Sequence, residues 1–309
     1  MIKRTLYFGN PSYLSLSNAQ LTLRLPEEEK ENALRSDFKK DPAASIPVED
    51  IGIVILDDSR ITITNGLLQS LQENNVAVIV CDQRHMPQSL LLPLEGNTIQ
   101  QERYEEQLSA SEPLKKQLWA QTIVQKIKNQ ASVLDSLSIK SDYLLPIIRK
   151  VKSGDPDNCE ATAAVYYWQK IFQHIEDFSR YREGPAPNNF LNYGYAILRA
   201  TMARSIVGSG LLPTLGIFHR NRYNAFCLAD DLMEPYRPYV DRIVYDLVNK
   251  YGEVQNLERV HKAELLKIPA IDVSIDGEMS PLMIATQRTT VSLVKCYNGE
   301  RKKLLYPEI

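Results

Sequence analysis

The spacing of apolar residues changes once along this chain, near residue 97, and that change constrains the fold more than any other feature. Before it, apolar residues either alternate with polar ones or form short continuous runs, as strands do. After it, they recur at the spacing of amphipathic helices. The sequence therefore predicts an α+β protein, with an N-terminal β-rich domain over residues 1–97 and a larger all-α C-terminal domain over residues 98–309.

The N-terminal half shows a hairpin pattern around Ser17–Gln20, where two alternating segments flank a polar turn. Two apolar runs, Ile51–Leu56 and Val76–Cys81, indicate buried strands, and Arg60–Thr64 alternates. A short helix is expected over Thr64–Leu71. The charged segment 28–42 is expected to be an exposed loop.

Seven helices are expected in the C-terminal half. Their predicted ranges are 101–110, 113–134, 160–178, 190–207, 230–251, 257–266 and 281–297. A short strand-like piece, 271–274, interrupts this pattern without changing the all-helical interpretation.

Charge is unevenly distributed, although the whole chain has a net charge of only −2. Residues 113–153 contain eight lysines and arginines against two aspartates, and residues 180–222 contain six arginines against Glu183. Three acids, Asp230, Asp231 and Glu234, follow at once. A phosphodiester enzyme needs cations to bind the DNA backbone and carboxylates to concentrate a divalent metal ion. Either basic run alone is more often an ordinary solvated surface.

Asp231 and Glu234 are three residues apart, so on one helix their carboxylates would share a face. Such a pair by itself is common on surface helices. His219 precedes it at the end of an apolar segment, and carboxylates with one imidazole suit Mg²⁺ or Mn²⁺. A third ligand must come from elsewhere. Glu160 opens a predicted helix, but that position alone would indicate only a favourable N-terminal charge.

Glu160 is selected by a resemblance. The chain resembles, over essentially its whole length, the metal-dependent integrase of CRISPR spacer acquisition, and most of all the version that accompanies type II systems. The order and spacing of several separate motifs carry the resemblance. These motifs are Thr64-Asn65 with the helix after it, Lys126–Gln130, Glu160–Trp168, Leu191–Ala196, Gly216–His219 and Leu228–Pro238.

The resemblance implies that Glu160, His219 and Glu234 are the metal ligands and catalytic residues. Asp231 matches a further acidic position of the family, either touching the ion or supporting a ligand from behind. Tyr193 and Tyr195 lie near the family's aromatic DNA-contacting segment and could position a 3′ end, although a place in the core is the more usual one for at least one of them. The candidate phosphate contacts are Arg199, Arg204, Arg220 and Arg222.

The resemblance also implies the assembly and the activity. Two subunits would pair through the N-terminal domain, and two such homodimers would flank one dimer of a small ferredoxin-like partner. DNA would span the assembly, as a captured protospacer fragment and as the CRISPR repeat with its leader. The 3′-hydroxyl of the fragment would attack a phosphodiester at the repeat boundary, in a reaction that depends on Mg²⁺ or Mn²⁺.

Two other functions fit the same residues. A nuclease that uses water would need the same metal site, and a DNA-binding scaffold would need only the basic runs. The N-terminus shows no apolar signal region and no segment has the length of a membrane span, so a cytoplasmic protein without a membrane partner is expected.

Overall fold

The structure is a computed structural model of the chain, and it describes residues 3–26, 42–181 and 183–309. The chain divides into two compact units, Met1–Leu94 and Glu95–Ile309. The first unit is built mainly of strands and the second mainly of helices, which confirms the predicted α+β class. The loop predicted at 28–42 lies outside the described residues except for its last position.

Two four-stranded sheets lie within the described residues of the first unit. One has the order β1-β5-β7-β8, in which β1, β5 and β7 run parallel and β8 is antiparallel. Their ranges are Arg4–Phe8, Ile51–Leu56, Ala77–Cys81 and Pro87–Leu91. The two apolar runs of the sequence form β5 and β7, while β1 and β8 were not predicted.

The second sheet has the order β4-β3-β2-β6. Its strands are Ala44–Pro47, Gln20–Arg24, Tyr13–Ser17 and the two-residue Thr62–Ile63. Strands β2 and β3 form the predicted hairpin, and its turn residues Asn18 and Ala19 both have positive φ. Helix α1 spans Asn65–Glu73. Thr64 caps its N-terminus, because the Thr64 hydroxyl accepts a hydrogen bond from the Leu67 amide. Apolar residues of both sheets and of α1 form a shared core.

Nine α-helices lie within the described part of the second unit. They are α2 Gln100–Ser109, α3 Glu112–Ser136, α4 Leu144–Lys150, α5 Cys159–Ile171, α6 Asn188–Gly208, α7 Cys227–Met233, α8 Arg237–Tyr251, α9 Arg259–Leu265 and α10 Leu282–Tyr297. Helix α6 is buried along most of its length. No described helix is both long and apolar enough to cross a membrane.

The second unit is not entirely helical. Strands β9 (Asp272–Ile275), β10 (Glu278–Pro281) and β11 (Pro307–Glu308) form a small antiparallel sheet. The strand-like piece near 271–274 is thus a true strand, because the residues after it fold back and pair with it. The all-α description of this unit therefore needs correction to helix-rich.

The helix predicted over 230–251 is broken near its start. Helix α7 ends at Met233, a 3-10 turn covers Glu234–Tyr236, and α8 begins at Arg237. Pro235 and Pro238 lack the backbone N–H that a continuous helix would need. Asp231 and Glu234 consequently lie on different elements, and their carboxylates meet different partners.

Candidate active site

Helix α3 supplies one wall of the site. Trp119, Lys126 and Asn129 are separated by seven and three residues, so they lie on one face of this helix. All three are buried. The Lys126 ammonium reaches two carboxylates, with Nζ 2.7 Å from Oε1 of Glu160 and 2.6 Å from Oε2 of Glu234. The structure thus brings two of the three predicted ligands together around one lysine.

Glu160 is positioned by the first turn of α5. The buried carboxylate of Asp155 accepts from the backbone amides of Cys159 and Glu160, both at 2.9 Å. Unpaired amides at a helix N-terminus are stabilised by such an acceptor. Asp155 therefore fixes the backbone from which Glu160 reaches Lys126.

Glu234 is positioned by the 3-10 turn between α7 and α8. Asn129 donates through Nδ2 to the carbonyls of Pro235 at 2.7 Å and Pro307 at 2.9 Å. This fastens the turn to α3. On the other side, Nε of Arg237 lies 2.9 Å from Oε1 of Glu234. The Glu234 side chain, 8% exposed, thus has a cation on each oxygen.

The charges of this cluster offset the cost of burying them. Burial alone would lower the pKa of Lys126, but Glu234 and Glu160 outweigh it and the pKa is raised. Burial alone would raise the pKa of Glu234, but Arg237 and Lys126 outweigh it and the pKa is lowered. Both groups therefore stay charged at neutral pH.

His219 lies in the loop before α7 and is oriented by Asp231. Asp231 is fully buried, and its Oδ1 lies 2.5 Å from Nδ1 of His219. Its Oδ2 accepts from the Phe218 amide at 2.8 Å. Gly216 permits this packing, because a Cβ there would lie 2.5 Å from the His219 carbonyl oxygen and 2.7 Å from Oδ2 of Asp231. Asp231 thus supports His219 from behind.

Gln107, a buried residue of α2, holds the start of the same loop. Its amide accepts from the Leu212 N–H at 2.8 Å and donates to the carbonyls of Leu212 and Leu215 at 3.1 and 3.0 Å. Farther along, the Phe218 ring stacks on Trp119 at 4.4 Å between centroids. The loop is therefore fixed at both ends.

The imidazole of His219 is electrostatically linked to the carboxylates. The hydrogen bond to Asp231 raises the pKa of His219, burial opposes it, and the charges of Asp231, Glu160 and Glu234 add to the rise. Because Asp231 takes Nδ1, Nε2 is the ring nitrogen oriented for a ligand.

The chemistry of this donor set fits a divalent ion. Glu160 and Glu234 each present a carboxylate oxygen to one position, and Asp231 orients the imidazole of His219. Two carboxylates with one imidazole suit Mg²⁺ or Mn²⁺. Within the described ranges, however, no three His, Cys, Asp or Glu side chains are close enough together to bind a metal ion without rearrangement. Lys126 lies between the two carboxylates.

The candidate DNA contacts Tyr193 and Tyr195 need correction. Tyr193 has no exposed surface and Tyr195 is 8% exposed. Both belong to the buried face of α6, where Tyr195 donates to Asp241 and the Lys262 ammonium lies 5.5 Å from the ring centre of Tyr193. Because most of α6 is buried within the second unit, neither ring is accessible to DNA.

The four arginines predicted to contact phosphates differ from one another in their partners and in their exposure. Nε of Arg199 contacts Oδ1 of Asp230 at 2.7 Å, and Arg204 is half-buried. Arg220 pairs with Glu112, and Arg222 lies over the Tyr223 ring. Arg220 and Arg222 line a cleft of about 480 Å³ that His219 also borders. These two are the best placed for a phosphate, while Arg182 of the same basic run lies outside the described residues.

Behind the site, a buried carboxylate joins α5, α6 and α8. Asp241 is 1% exposed and accepts from the Tyr167 hydroxyl at 3.0 Å and from the Tyr195 hydroxyl. Burial raises the pKa of Asp241 to about 7, more than the hydrogen bonds of Tyr195 and Tyr167 lower it.

Because this pKa lies above the ordinary value of 3.8, Asp241 lowers the free energy of unfolding progressively as pH rises from about 4 to 7. Asp241→Asn removes the titration, so its stability relative to the parent should improve over that window, by at most about 1.4 kcal/mol per pH unit. Urea unfolding of both proteins at pH 4.5 and 7.5 measures this difference. A stability difference that is the same at both pH values contradicts the assignment.

Comparisons with known proteins agree with this architecture. A family model described as CRISPR associated protein Cas1 matches residues 9–256. The CRISPR-associated endonuclease Cas1 of Neisseria meningitidis serogroup C is 35% identical, over all of this chain and 97% of its own length.

Solved structures share the fold. A casposase bound to its integration product gives a TM-score of 0.77 at 22% identity, over 98% of this chain and 92% of its own. A Cas1 protein from Thermotoga maritima gives 0.74 at 15%, over 96% and 97%. A Cas6-RT-Cas1–Cas2 complex gives 0.71 at 16%, over 97% of this chain and 35% of that one.

The fold and the matches together define a CRISPR-associated protein. Within that class, the chain belongs to the Cas1 family. The relative from Neisseria meningitidis is an endonuclease by name, and the family membership supports nuclease activity.

Proposed function

We propose that this chain is a divalent-metal-dependent DNA integrase, which inserts captured DNA fragments into a CRISPR array by 3′-hydroxyl transesterification. The observation that carries the proposal is the convergence of Glu160 and Glu234 on one cation position, where the Lys126 ammonium lies 2.7 and 2.6 Å from their oxygens. His219, oriented by Asp231, completes the donor set. The casposase neighbour, which was solved with an integration product, supports integration over simple cleavage.

Each residue of the site has a separate task in this mechanism. Glu160, Glu234 and Nε2 of His219 would bind Mg²⁺ or Mn²⁺, which supplies polarisation of a phosphate oxygen and neutralises charge on the leaving oxygen. Asp231 keeps the imidazole in the required orientation. Arg220 and Arg222, beside His219, are placed to contact the DNA backbone.

The reaction exchanges one phosphodiester for another. The fragment's 3′-oxygen forms a bond to phosphorus as the target strand's bond from phosphorus to its 3′-oxygen breaks. The attacking hydroxyl gives its proton to solvent, and the leaving oxygen takes one up to become a free 3′-hydroxyl of the target strand. No side chain of the protein forms a covalent intermediate, and no external energy source is needed.

A joining assay tests the proposal. A duplex fragment, a target with a repeat and its leader, the Cas2-type partner and Mn²⁺ should give a strand in which fragment and target are linked, and EDTA should abolish it. A scaffold would give neither product nor nick. A plain nuclease would give nicks only, and that result would contradict the proposed function.

DNA binding should depend strongly on salt despite the net charge of −2. Six basic residues of the 113–153 run are exposed: Lys116, Lys128, Lys140, Arg149, Lys150 and Lys152. Counterion release predicts a slope of roughly −0.9 in log affinity against log salt for each neutralised phosphate. In anisotropy titrations, replacing Lys140, Arg149 and Lys150 by Gln should make the slope shallower, and Lys295→Gln, outside the run, should leave it unchanged. A flat salt dependence in the parent contradicts DNA binding by this run.

The protein should form a homodimer through residues 1–94, and two dimers should flank one dimer of a small ferredoxin-like partner. A neighbour that contains Cas1 and Cas2 supports such a partner. Val80 and Leu91 are exposed apolar residues on β7 and β8. Light scattering should give a dimer at micromolar concentration. The double variant Val80→Glu, Leu91→Glu should weaken the dimer. Gln88→Glu, on β8 like Leu91, is the control and should leave it unchanged. A monomeric parent contradicts the proposal.

A further inference from the structure

Lys126 is a buried lysine whose only charge compensation among the described residues comes from candidate metal ligands. It is 9% exposed, and its ammonium contacts Glu160 and Glu234. Removing an ammonium from water is costly, so a buried lysine persists only where carboxylates compensate it. Here the compensating oxygens are the two that the proposed function assigns to an ion.

The ammonium and a divalent ion therefore need the same atoms. Arg237 already contacts Oε1 of Glu234, which leaves Oε2 for Lys126 or for an ion. With Lys126 and Arg237 in place, the two carboxylates are formally neutralised. Adding a divalent ion without moving Lys126 would leave a strongly positive, mostly buried cluster, and such a cluster is electrostatically unfavourable.

We propose that Lys126 is an internal cation that keeps Glu160 and Glu234 together before an ion is bound, and that its displacement limits the ion's affinity. This inference rests on the proposed metal site. Lys126 is thus a positioning residue with two opposite effects. It stabilises the ion-free protein, and it weakens ion binding by competing for the same two oxygens.

The test is Lys126→Met, which keeps an unbranched side chain, shorter by one heavy atom, and removes the charge. Lys128→Met is the matched control, because Lys128 lies on the same helix and is exposed. Without ions, Lys126→Met should melt several degrees below the parent. In calorimetric titrations without DNA, Mn²⁺ should bind it at least tenfold more tightly than the parent. Mn²⁺ should also raise the melting temperature of Lys126→Met by more than it raises that of the parent. Lys128→Met should match the parent in all three measurements, and Lys126→Arg, which retains the charge, should keep the weak affinity.

The direction of the affinity change separates competition from a merely structural role. A packing role predicts weaker ion binding in Lys126→Met, and unchanged or weaker binding in the folded variant overturns the inference. If the variant is unfolded without ions, folding on addition of Mn²⁺ supports the inference, and failure to fold with saturating Mn²⁺ contradicts it.

Failure of the metal site itself has a different signature. If His219→Ala leaves the parent's Mn²⁺ affinity unchanged, the proposed site is wrong. If His219→Ala weakens binding but Lys126→Met does not tighten it, only the role of Lys126 is wrong.

Discussion

Replacement of His219 by Ala should reduce strand joining by about 100- to 1,000-fold or more, with folding and DNA affinity retained. The side chain is 46% exposed, so its loss leaves only a small cavity. Loss of a group that stabilises transition-state charge typically costs this much in rate. Joined product per unit time measures the effect, and melting temperature and DNA anisotropy serve as checks. His174→Ala, at an exposed histidine outside the site, is the control and should be silent. Near-normal joining by His219→Ala would remove this residue from the ligand set.

Alanine at Glu160 or Glu234 should cause the same catalytic loss, but the two positions differ in stability. Glu160 is partly exposed, so its truncation should be tolerated. Glu234→Ala leaves the buried Lys126 and the half-buried Arg237 without their shared partner, and loss of one partner from a buried ion pair costs about 3–5 kcal/mol. Sequence reasoning alone predicts intact folding for all three alanine variants, and the contacts of Glu234 revise that expectation. Glu234→Gln, which keeps the shape, is therefore the better test of catalysis.

Asp231→Asn should be milder, about 10- to 100-fold, because Asp231 orients His219. The Phe218 and His219 amides can still donate to the amide oxygen of the asparagine. A loss as large as that of His219→Ala would instead indicate that Asp231 touches the ion.

A fragment ending in a 3′-dideoxynucleotide should bind as well as the normal fragment and give no joined product. It lacks the attacking oxygen, whereas all contacts between protein and phosphate remain. Hydrolytic nicking of the target can persist, since water needs no 3′ end. Gel analysis of joined and nicked strands, with the 3′-hydroxyl fragment as control, separates the two outcomes. Joining at the normal rate from the dideoxy fragment contradicts the transesterification mechanism.

Local patterns predicted the parts of the fold that depend on local interactions. The β2–β3 hairpin, the buried strands β5 and β7 and the buried helix α6 all follow from apolar spacing. Strand β1 was missed because its pairing partner, β5, is distant in sequence. Strand β8 lies close to its partner β7, but it begins Pro-Gln-Ser and shows no alternation of apolar and polar residues. Helix α4 was missed because it is only seven residues long and contains Pro146.

The candidate ligands of the site were predicted, with Glu160 selected only by the family resemblance, but the contacts between them were not. The sequence cannot show that Lys126 reaches Glu160 and Glu234, because these residues are far apart along the chain. A lysine within the apolar stripe of α3 was the available signal. Pro235 was the signal that Asp231 and Glu234 do not share one helix.

The supporting residues carry weaker signals. Asp155 accepts from the amides of Cys159 and Glu160, a local contact that an acidic residue just before a predicted helix could have signalled. Gln107 and Asn129, in contrast, act through backbone groups of distant segments. Nothing in their own neighbourhood marks them, apart from the place of Asn129 in the Lys126–Gln130 motif. Such contacts depend on tertiary packing, and local sequence patterns do not encode it.

The most direct measurement is a crystal structure of the protein soaked with Mn²⁺, with the ion located by its anomalous scattering. We expect one peak in direct contact with Glu160, Glu234 and Nε2 of His219, with Asp231 still hydrogen-bonded to Nδ1 and Lys126 moved away from both carboxylates. A peak elsewhere, or an empty site with Lys126 still between Glu160 and Glu234 at saturating Mn²⁺, would contradict the account.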